Sequence, residues 1–437
     1  MTICTRRESP RRVELSLSFF AERGFRHRTG LGNVARKEHH RGAQMESEAW
    51  KRKGHKEDQI MKIAQIAPAW LALPPKTYGG TESVLSTLVE EQVAQGHDVT
   101  VFAPGDAKTS AHLVSFFPQS LIAEGVSWTM HLKAFYHLQK AMEQVSVCEF
   151  DIVHTHLSSA ADMYLFPLLA ALATPHVTTL HSHFPFDRGR PNRPGDADRY
   201  YMDWAPFVPI VAISETARLQ EKRPLHFVGV VYNGIEMQHY RPTGRKRGDF
   251  FVWLGRFVPE KGAHLAIEAA KRANVPLVLA GTIDRYQKEA VRYFHEVVEP
   301  QIDGEKIKYV GPVNMTQKRS LLSRARGFLN PIEWEEPFGI VMIEAMALGC
   351  PVISFARGAA PEIVVDGETG FLVPHLDEMV QALPKIDEID RERARLHVER
   401  NFSATVMAQS YTRVYEQVRA MNKGETSYEK LPPVRAV

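Results

Sequence analysis

The segment Asn330–Ile353, NPIEWEEPFGIVMIEAMALGCPVI, holds two carboxylates, Glu336 and Glu344, in an E-x7-E pair around Phe338-Gly339-Ile340. Phe338-Gly339-Ile340 opens a predicted helix over Gly339–Leu348. The first backbone N–H groups of a helix lack intrahelical partners and its dipole is positive there, so the site favours an anion. Gly339 lets a phosphate approach with no Cβ in the way. Glu344 falls inside the helix among Ile343, Ala345 and Met346, where a carboxylate suits a ribose diol that donates two hydrogen bonds. Gly349 is placed to end the helix. An amphipathic helix with one exposed glutamate is the simpler alternative.

A second segment, Leu254–Gly262 (LGRFVPEKG), sets Arg256 and Lys261 between a strand and a helix. Two cations there can face one diphosphate. As a sugar–phosphate bond breaks, negative charge grows on the leaving group, and fixed cations stabilise it in place of a metal. Solvated surface charges fit the same spacing. In Tyr78-Gly79-Gly80-Thr81-Glu82, two glycines precede a helix and permit close approach of phosphate or sugar; the spacing is not that of a dinucleotide fingerprint. His181, in TTLHSHF, follows one strand, and His154 and His156, in DIVHTHL, close another. Strand ends are where catalytic groups collect, although hydrogen-bonded structural histidines also sit there. No HExxH occurs. Asp196 and Asp198 form a DxD, but in a polar loop with no strand leading in, which argues against a metal site.

These residues need elements to hold them. From Met61 onward short apolar runs alternate with helical periodicity. Strands are predicted at Ile63–Ala67, Asp98–Ala103, Asp151–Thr155, His176–Leu180, Ile210–Ile213 and Gly229–Tyr232. Helices are predicted at Thr81–Gln95, Trp128–Val145 and Ala160–Ala173. The pattern pauses over Asn233–Gly248 and restarts with strands at Phe250–Leu254, Pro276–Ala280, Ile307–Val310, Gly327–Asn330 and Pro351–Phe355. Helices are expected at Gly262–Ala273 and Thr316–Ala325, with a last one over Ala404–Met421. The fold class is therefore α/β, with two doubly wound domains facing across a cleft. The expected division is a disordered or over-extended stretch over 1–60, a first domain over 61–232, a linker over 233–248, a second domain over 249–403, a helix over 404–422 packing back on the first domain, and a tail over 423–437.

The totals agree with a two-domain chain of 437 residues, 44% hydrophobic and 24% charged. The net charge of +3 misleads, because residues 1–60 hold 14 Lys and Arg against 8 Asp and Glu, whereas the rest hold 40 against 43. A basic body suited to nucleic acid is therefore excluded. Cys4, Cys148 and Cys350 show no metal spacing and no disulfide framework, so a reducing, cytoplasmic setting is expected. No apolar stretch of ~18 residues suggests a membrane span. Over Trp128–Val145 Lys133 and Lys140 are the only fixed positive charges, enough for weak peripheral membrane contact at most.

Taken in order, YGGTE, DIVHTHL, TLHSHF, VAISE, VVYNGIE, LGRFVPEKG, YVGPV, EPFGIVMIEAMALGCPVI and GAAPEIVVDGETGFLV resemble the retaining glycosyltransferases of family 4, over about Met61 to Met421. The start, MKIAQIAPAWLALPPKTYGGTE, looks most like an avilamycin-pathway-like subgroup. The resemblance implies the GT-B fold, an acceptor-binding first domain and a donor-binding second domain. It implies that Gly80 lies by the donor diphosphate or sugar and that Arg256 and Lys261 hold the diphosphate. Glu336 would bond sugar hydroxyls, Phe338, Gly339 and Ile340 would line the donor, the last two offering N–H groups, Glu344 would hold the ribose and Val313 would lie near the base. His181 would sit by the reacting centre. The implied activity is hexose transfer, with retention and α-linkage, from a nucleotide diphosphate sugar to a small-molecule, glycan or lipid acceptor. UDP-glucose is the first expectation for the donor and GDP-mannose the second, with no metal or other cofactor. The alternatives are a sugar-nucleotide epimerase or hydrolase on the same fold, or a non-catalytic sugar-nucleotide-binding protein. A glycan phosphorylase would need a lysine-bound pyridoxal phosphate.

Overall fold

The structure is a computed structural model and describes residues 60–76, 79–184, 186, 196–244, 246–284 and 287–422. Expectations for residues 1–59, for Tyr78 and for the tail 423–437 lie outside the described residues. Two parallel sheets organise the chain from Met61. The first is built from β1 (Lys62–Ile66), β2 (Asp98–Phe102), β3 (His112–Val114), β4 (Ile152–Leu157), β5 (His176–Leu180), β6 (Ile210–Ala212) and β7 (Phe227–Val230), in the order β3-β2-β1-β4-β5-β6-β7. The second contains β8 (Phe251–Arg256), β9 (Leu277–Thr282), β10 (Ile307–Tyr309), β11 (Phe328–Asn330), β12 (Val352–Phe355) and β13 (Gly370–Val373), in the order β10-β9-β8-β11-β12-β13.

Both orders reverse direction once, beside the first strand of each sheet. That reversal opens a crevice at the carboxyl ends of β1 and β4, and another at those of β8 and β11. The strands β4, β5 and β11 are buried at every residue, as a sheet covered on both faces requires.

The helices that bear on the site are α1 (Gly80–Ala94), α2 (His131–Val147), α3 (Ala263–Arg272), α4 (Met315–Arg324), α5 (Ile340–Ala347), α6 (Arg391–Asn401) and α7 (Ala404–Asn422). Nearly all of α5 is buried, from Met342 through Ala347, which is why its composition is apolar all round. It closes with Gly349 N–H donating to Met346 O at 2.8 Å and Cys350 N–H to Ala345 O at 2.9 Å, a Schellman pair. Arg395 of α6 adds a cation there, donating to Ala347 O and, at 2.6 Å, to Tyr240 O.

Two stretches of chain cross between the sheets, and they run side by side. Ile235 forms a parallel bridge with Ser403, Ile235 N–H donates to Phe402 O at 3.0 Å, and Ala404 N–H to Ile235 O at 2.9 Å. The second crossing delivers α7 onto the first sheet. Met407, Ala408, Tyr411, Val414, Tyr415 and Val418 join the core formed by Ile63, Val84, Leu88, Val99 and Val177.

Two expectations are corrected here. Strands β3 and β13, short outer strands of the two sheets, were absent from the sequence reading. The single helix expected over Ala160–Ala173 is a 3-10 turn (Ala160–Tyr164) followed by a short helix (Leu165–Ala170), with Pro167 early in the latter. Cys350 is a free, buried thiol. Among the described residues, no helix is long and apolar enough to cross a membrane. Lys133 and Lys140 of α2 are paired with Glu124 and Glu143, so its basic character is weaker than the sequence suggests.

Candidate active site

The second sheet places a charged cluster at its crevice. Arg256 ends β8, and a 3-10 turn over Pro259–Lys261 follows. Gly262 then adopts φ 69°, and a Cβ at this position would meet Pro331 O at 1.9 Å. Only glycine allows this approach, which presses the Lys261 turn against the loop Pro331–Gly339. Lys261 Nζ contacts Glu336 Oε2 there, with both side chains largely buried. Trp334 Nε1–H donates to the same oxygen at 3.1 Å, and the Lys261 ammonium lies 5.2 Å from the Trp334 ring centroid. Glu336 is thus held by two donors, three residues before Gly339 caps the N-terminus of α5.

Deeper along α5, Glu344 is 7% exposed. Tyr240 Oη–H donates to Glu344 Oε1 at 2.6 Å, and Lys318 of α4 donates to the same oxygen. Burial, and then the charge of Glu344, raise the Tyr240 phenol well above its usual range. Among the described residues, no hydrogen bond ends on Oε2. Val313 lies half-buried in the turn leading into α4, whose Asn314 forms a capping box with Gln317.

The first sheet supplies a different kind of wall. His181 follows β5, and its Nε2 lies 2.9 Å from His156 Nδ1 on β4. His156 Nε2 is 3.0 Å from Gln65 Oε1 on β1. His154, two residues before His156, contacts Tyr415 Oη and Thr179 Oγ1, each at 2.7 Å. Burial pushes the His181 imidazole down to about 3 and the imidazoles of His154 and His156 well below the usual value, so all three rings are neutral near pH 7. At the head of α1 the two glycines differ. A Cβ on Gly79 would press on Glu82 and Leu71, whereas a Cβ on Gly80 would meet nothing within 4 Å. Space is tight at the first glycine and open at the second.

Direct contacts bring the two walls together. The His183 ring, two residues past His181, lies edge-on to Trp334 at 5.5 Å and bonds Glu335 O. Gln220 Nε2–H donates to Glu335 Oε2 at 3.0 Å. Ser214 Oγ–H donates to Pro337 O at 2.6 Å. Glu362 accepts from Glu215 N–H, Thr216 N–H and Tyr232 Oη–H at 2.7–2.9 Å. Ile340 packs against the cores of both walls.

The geometry therefore gathers Lys261, Glu336 and Gly339 at one crevice, with the loop after His181 against it, and sets Glu344 deeper in the same domain. Phe338 stands apart, because its ring is buried against Tyr232 and Phe402, leaving only its backbone to face a ligand. Asp196 pairs with Arg199 at 3.1 Å, and Asp198 is buried. No group of three or more His, Cys, Asp or Glu among the described residues could hold a metal ion. Trp334, Tyr240 and Lys318 were missed in the sequence reading. Trp334 had a local signal, lying two residues before Glu336; Tyr240 and Lys318 reach Glu344 only through the fold.

Two Rossmann-like sheets in this order, with a charged crevice in the second, define the GT-B fold. Comparison with known proteins agrees. The model for Glycosyltransferase Family 4 matches residues 78–239, and that for Glycosyl transferases group 1 matches residues 238–398. Phosphatidyl-myo-inositol mannosyltransferase of Mycobacterium leprae is 26% identical, over 82% of this chain and 97% of its own. Sucrose-phosphate synthase of Thermosynechococcus elongatus superposes with a TM-score of 0.68 at 19% identity, over 83% of this chain and 100% of its own. AviGT4, a glycosyltransferase involved in avilamycin A biosynthesis, superposes with a TM-score of 0.58 at 21% identity, over 83% of this chain and 98% of its own. The chain belongs to the family 4 glycosyltransferases and is a transferase enzyme.

Proposed function

We propose that the protein transfers a hexose from a nucleotide diphosphate sugar to a small-molecule, glycan or lipid acceptor, with retention and without a metal. The observation that carries this reading is the Lys261–Glu336 pair beside the N-terminus of α5. Lys261 and Arg256 would hold the diphosphate and take up the charge that develops on it. The N–H groups of Gly339 and Ile340 would add to that field. Glu336 would accept hydrogen bonds from sugar hydroxyls, Glu344 would use Oε2 for the ribose, and Val313 would lie against the base. Gly80 would let the diphosphate or sugar approach the first domain, and His181 would face the reacting carbon.

In this reading the bond from the anomeric carbon to the phosphate oxygen breaks. The acceptor oxygen bonds to the same face, and the acceptor proton passes to the departing phosphate. UDP-glucose is the first choice of donor. GDP-mannose is second, a choice supported by the mannosyltransferase relative. The proposal includes a cytoplasmic location and places the chain near the avilamycin-pathway subgroup, on the likeness of its segment MKIAQIAPAWLALPPKTYGGTE.

A thermal-shift panel of UDP, GDP, ADP and their sugar conjugates, with and without EDTA, tests it, because a ligand that binds only the native state raises the melting temperature. The expected result is a shift with one nucleotide that EDTA leaves unchanged. No shift with any nucleotide would overturn the donor site, and a shift lost with EDTA would overturn metal independence. Transfer assays should then give an α-linked product. A glycosyl-enzyme trapped on a carboxylate would rule out the same-face displacement.

A further inference from the structure

Beneath His181 lies a closed set of buried hydrogen bonds whose direction can be followed proton by proton. Gln65 Nε2 lies 2.9 Å from Gln92 Oε1 and 3.3 Å from Tyr415 Oη. A primary amide nitrogen has two N–H groups and no acceptor, so both are used. Gln65 Oε1 can only accept, so His156 Nε2 carries a proton and donates across 3.0 Å. The His156 ring is neutral, which leaves Nδ1 as a lone pair. The 2.9 Å contact with His181 Nε2 is then a bond donated by His181. His181 is neutral too, so its Nδ1 is unprotonated.

The far end of the network closes consistently. Gln92 Nε2–H donates to Tyr415 Oη at 3.0 Å, so this hydroxyl accepts from both glutamines. Its single proton goes to His154 Nδ1 at 2.7 Å, His154 Nε2–H goes to Thr179 Oγ1 at 2.7 Å, and Thr179 Oγ–H goes to Tyr411 Oη at 2.8 Å. Gln65, Gln92, His154, Thr179, Tyr411 and Tyr415 are buried, so water does not compete for these bonds.

We propose that Gln65 and His156 are positioning residues that lock His181 as the Nε2–H tautomer, so that it offers substrate a hydrogen-bond acceptor at Nδ1. Neither residue touches substrate; both act through the ring of His181. The proposal rests on the reading that His181 faces the reacting centre, and there it specifies that His181 receives a bond from a substrate hydroxyl rather than giving one to an oxygen.

Long-range proton–nitrogen NMR on the full chain, labelled with 15N-histidine, reads the tautomers directly. Signals are assigned by their loss in His156→Asn and His181→Asn. The expected result is Nε2–H at both His156 and His181 in the unsubstituted protein. An Nδ1–H tautomer at His181 would overturn the proposal, because it requires the bonds from Gln65 through His156 to His181 to run the other way. Gln65→Leu provides the second arm. Here His156 loses its fixed acceptor, so His181 should show mixed tautomers, with kcat lowered about 10-fold, the effect of one hydrogen bond, and nucleotide affinity little changed. A lower melting temperature with the tautomer unchanged would mean that Gln65 only packs, which also overturns the proposal. Titration with UDP-glucose and GDP-mannose separates the two readings. A His181 Nδ1 signal that neither moves, with tautomers as assigned, would refute the placement of His181 at the reacting centre and leave the tautomer lock standing.

Discussion

The two walls of the site solve the problem of holding polar groups in opposite ways. The donor-side wall uses ion pairs: Lys261 with Glu336, and Lys318 with Glu344, each largely removed from solvent. The other wall uses neutral groups, three histidines tied to two glutamines, a threonine and two tyrosines. A diphosphate needs compensating charge, and charges of both signs let the cations be fixed before the ligand arrives. A wall that orients hydroxyls needs direction instead, which neutral hydrogen bonds supply without burying net charge. The walls should therefore fail under different conditions.

Acid should produce the largest difference. The ordinary imidazole value near 6.5 describes the unfolded chain, whereas burial holds folded His181 near 3 and moves His154 and His156 in the same direction. Between these values the unfolded state binds protons that the folded state refuses. The stability is complete above pH 6.5 and falls as the pH drops toward 3, by about 1.4 kcal/mol per pH unit for His181, with His154 and His156 acting in the same direction. Glu82 works the other way. Burial raises its carboxyl to about 7, so its contribution is complete below 4.5 and is lost as the pH rises through 7. His137, which burial lowers to about 4, acts in the same direction as the three rings, so net stability falls as the pH drops below 6.5. Urea midpoints measured from pH 7.5 to 5 check this, and a flat profile would show that the histidine wall is not held neutral.

Next in size is Lys261→Ala, which acts on the charged wall alone. Removing one group that stabilises transition-state charge typically lowers turnover by about 10²–10³. Steady-state kcat/KM should fall by that amount, with the histidine tautomers untouched. Equal activity would remove Lys261 from the donor site.

The sequence showed the charged wall more fully than the neutral one, and the reason is physical. Lys261, Glu336, Gly339 and Glu344 come from two short segments, each a strand followed by a turn and a helix, so local spacing reveals them. The strand His176–Leu180 and the helix around Ile340–Ala347 were also legible, because apolar runs and helical periodicity are local signals. Gln65, Gln92, His156 and Tyr415 are separated by up to 350 residues, and nothing near Tyr415 in the sequence announces a partner on β1. Strands β3 and β13 were missed for a related reason: three or four residues at the outside of a sheet carry little pattern of their own.

Within the charged wall, Glu344→Gln leaves the Lys318 ammonium buried without its counter-charge, which should lower stability by about 3 kcal/mol. Replacing both, with Lys318→Met and Glu344→Gln, should recover most of that loss. A double-mutant cycle from urea denaturation measures the coupling. Donor KM should remain raised in the double variant, since the proposed ribose contact is still missing. A double variant as unstable as Glu344→Gln alone would show that the helix depends on Glu344 for packing rather than for its charge.

The smallest effect is the one that bears most directly on the neutral wall. Tyr415→Phe keeps the ring packed among Ile63, Leu88 and Val177 and removes only the hydroxyl. That hydroxyl accepts from Gln65 and Gln92 and donates to His154. Two buried N–H groups and one imidazole nitrogen then lose a partner, a change of about 1–3 kcal/mol. The loss should show as a lower urea midpoint with little change in donor binding, because no charge on the other wall moves. The helix that carries Tyr415 follows the second crossing between the domains, so this hydroxyl ties the far end of the chain to the β1 strand that opens the first domain. If Tyr415→Phe were neutral, the glutamines would be finding partners elsewhere. The wall would then be held by packing alone, and the contrast between a charged and a directed wall would not survive.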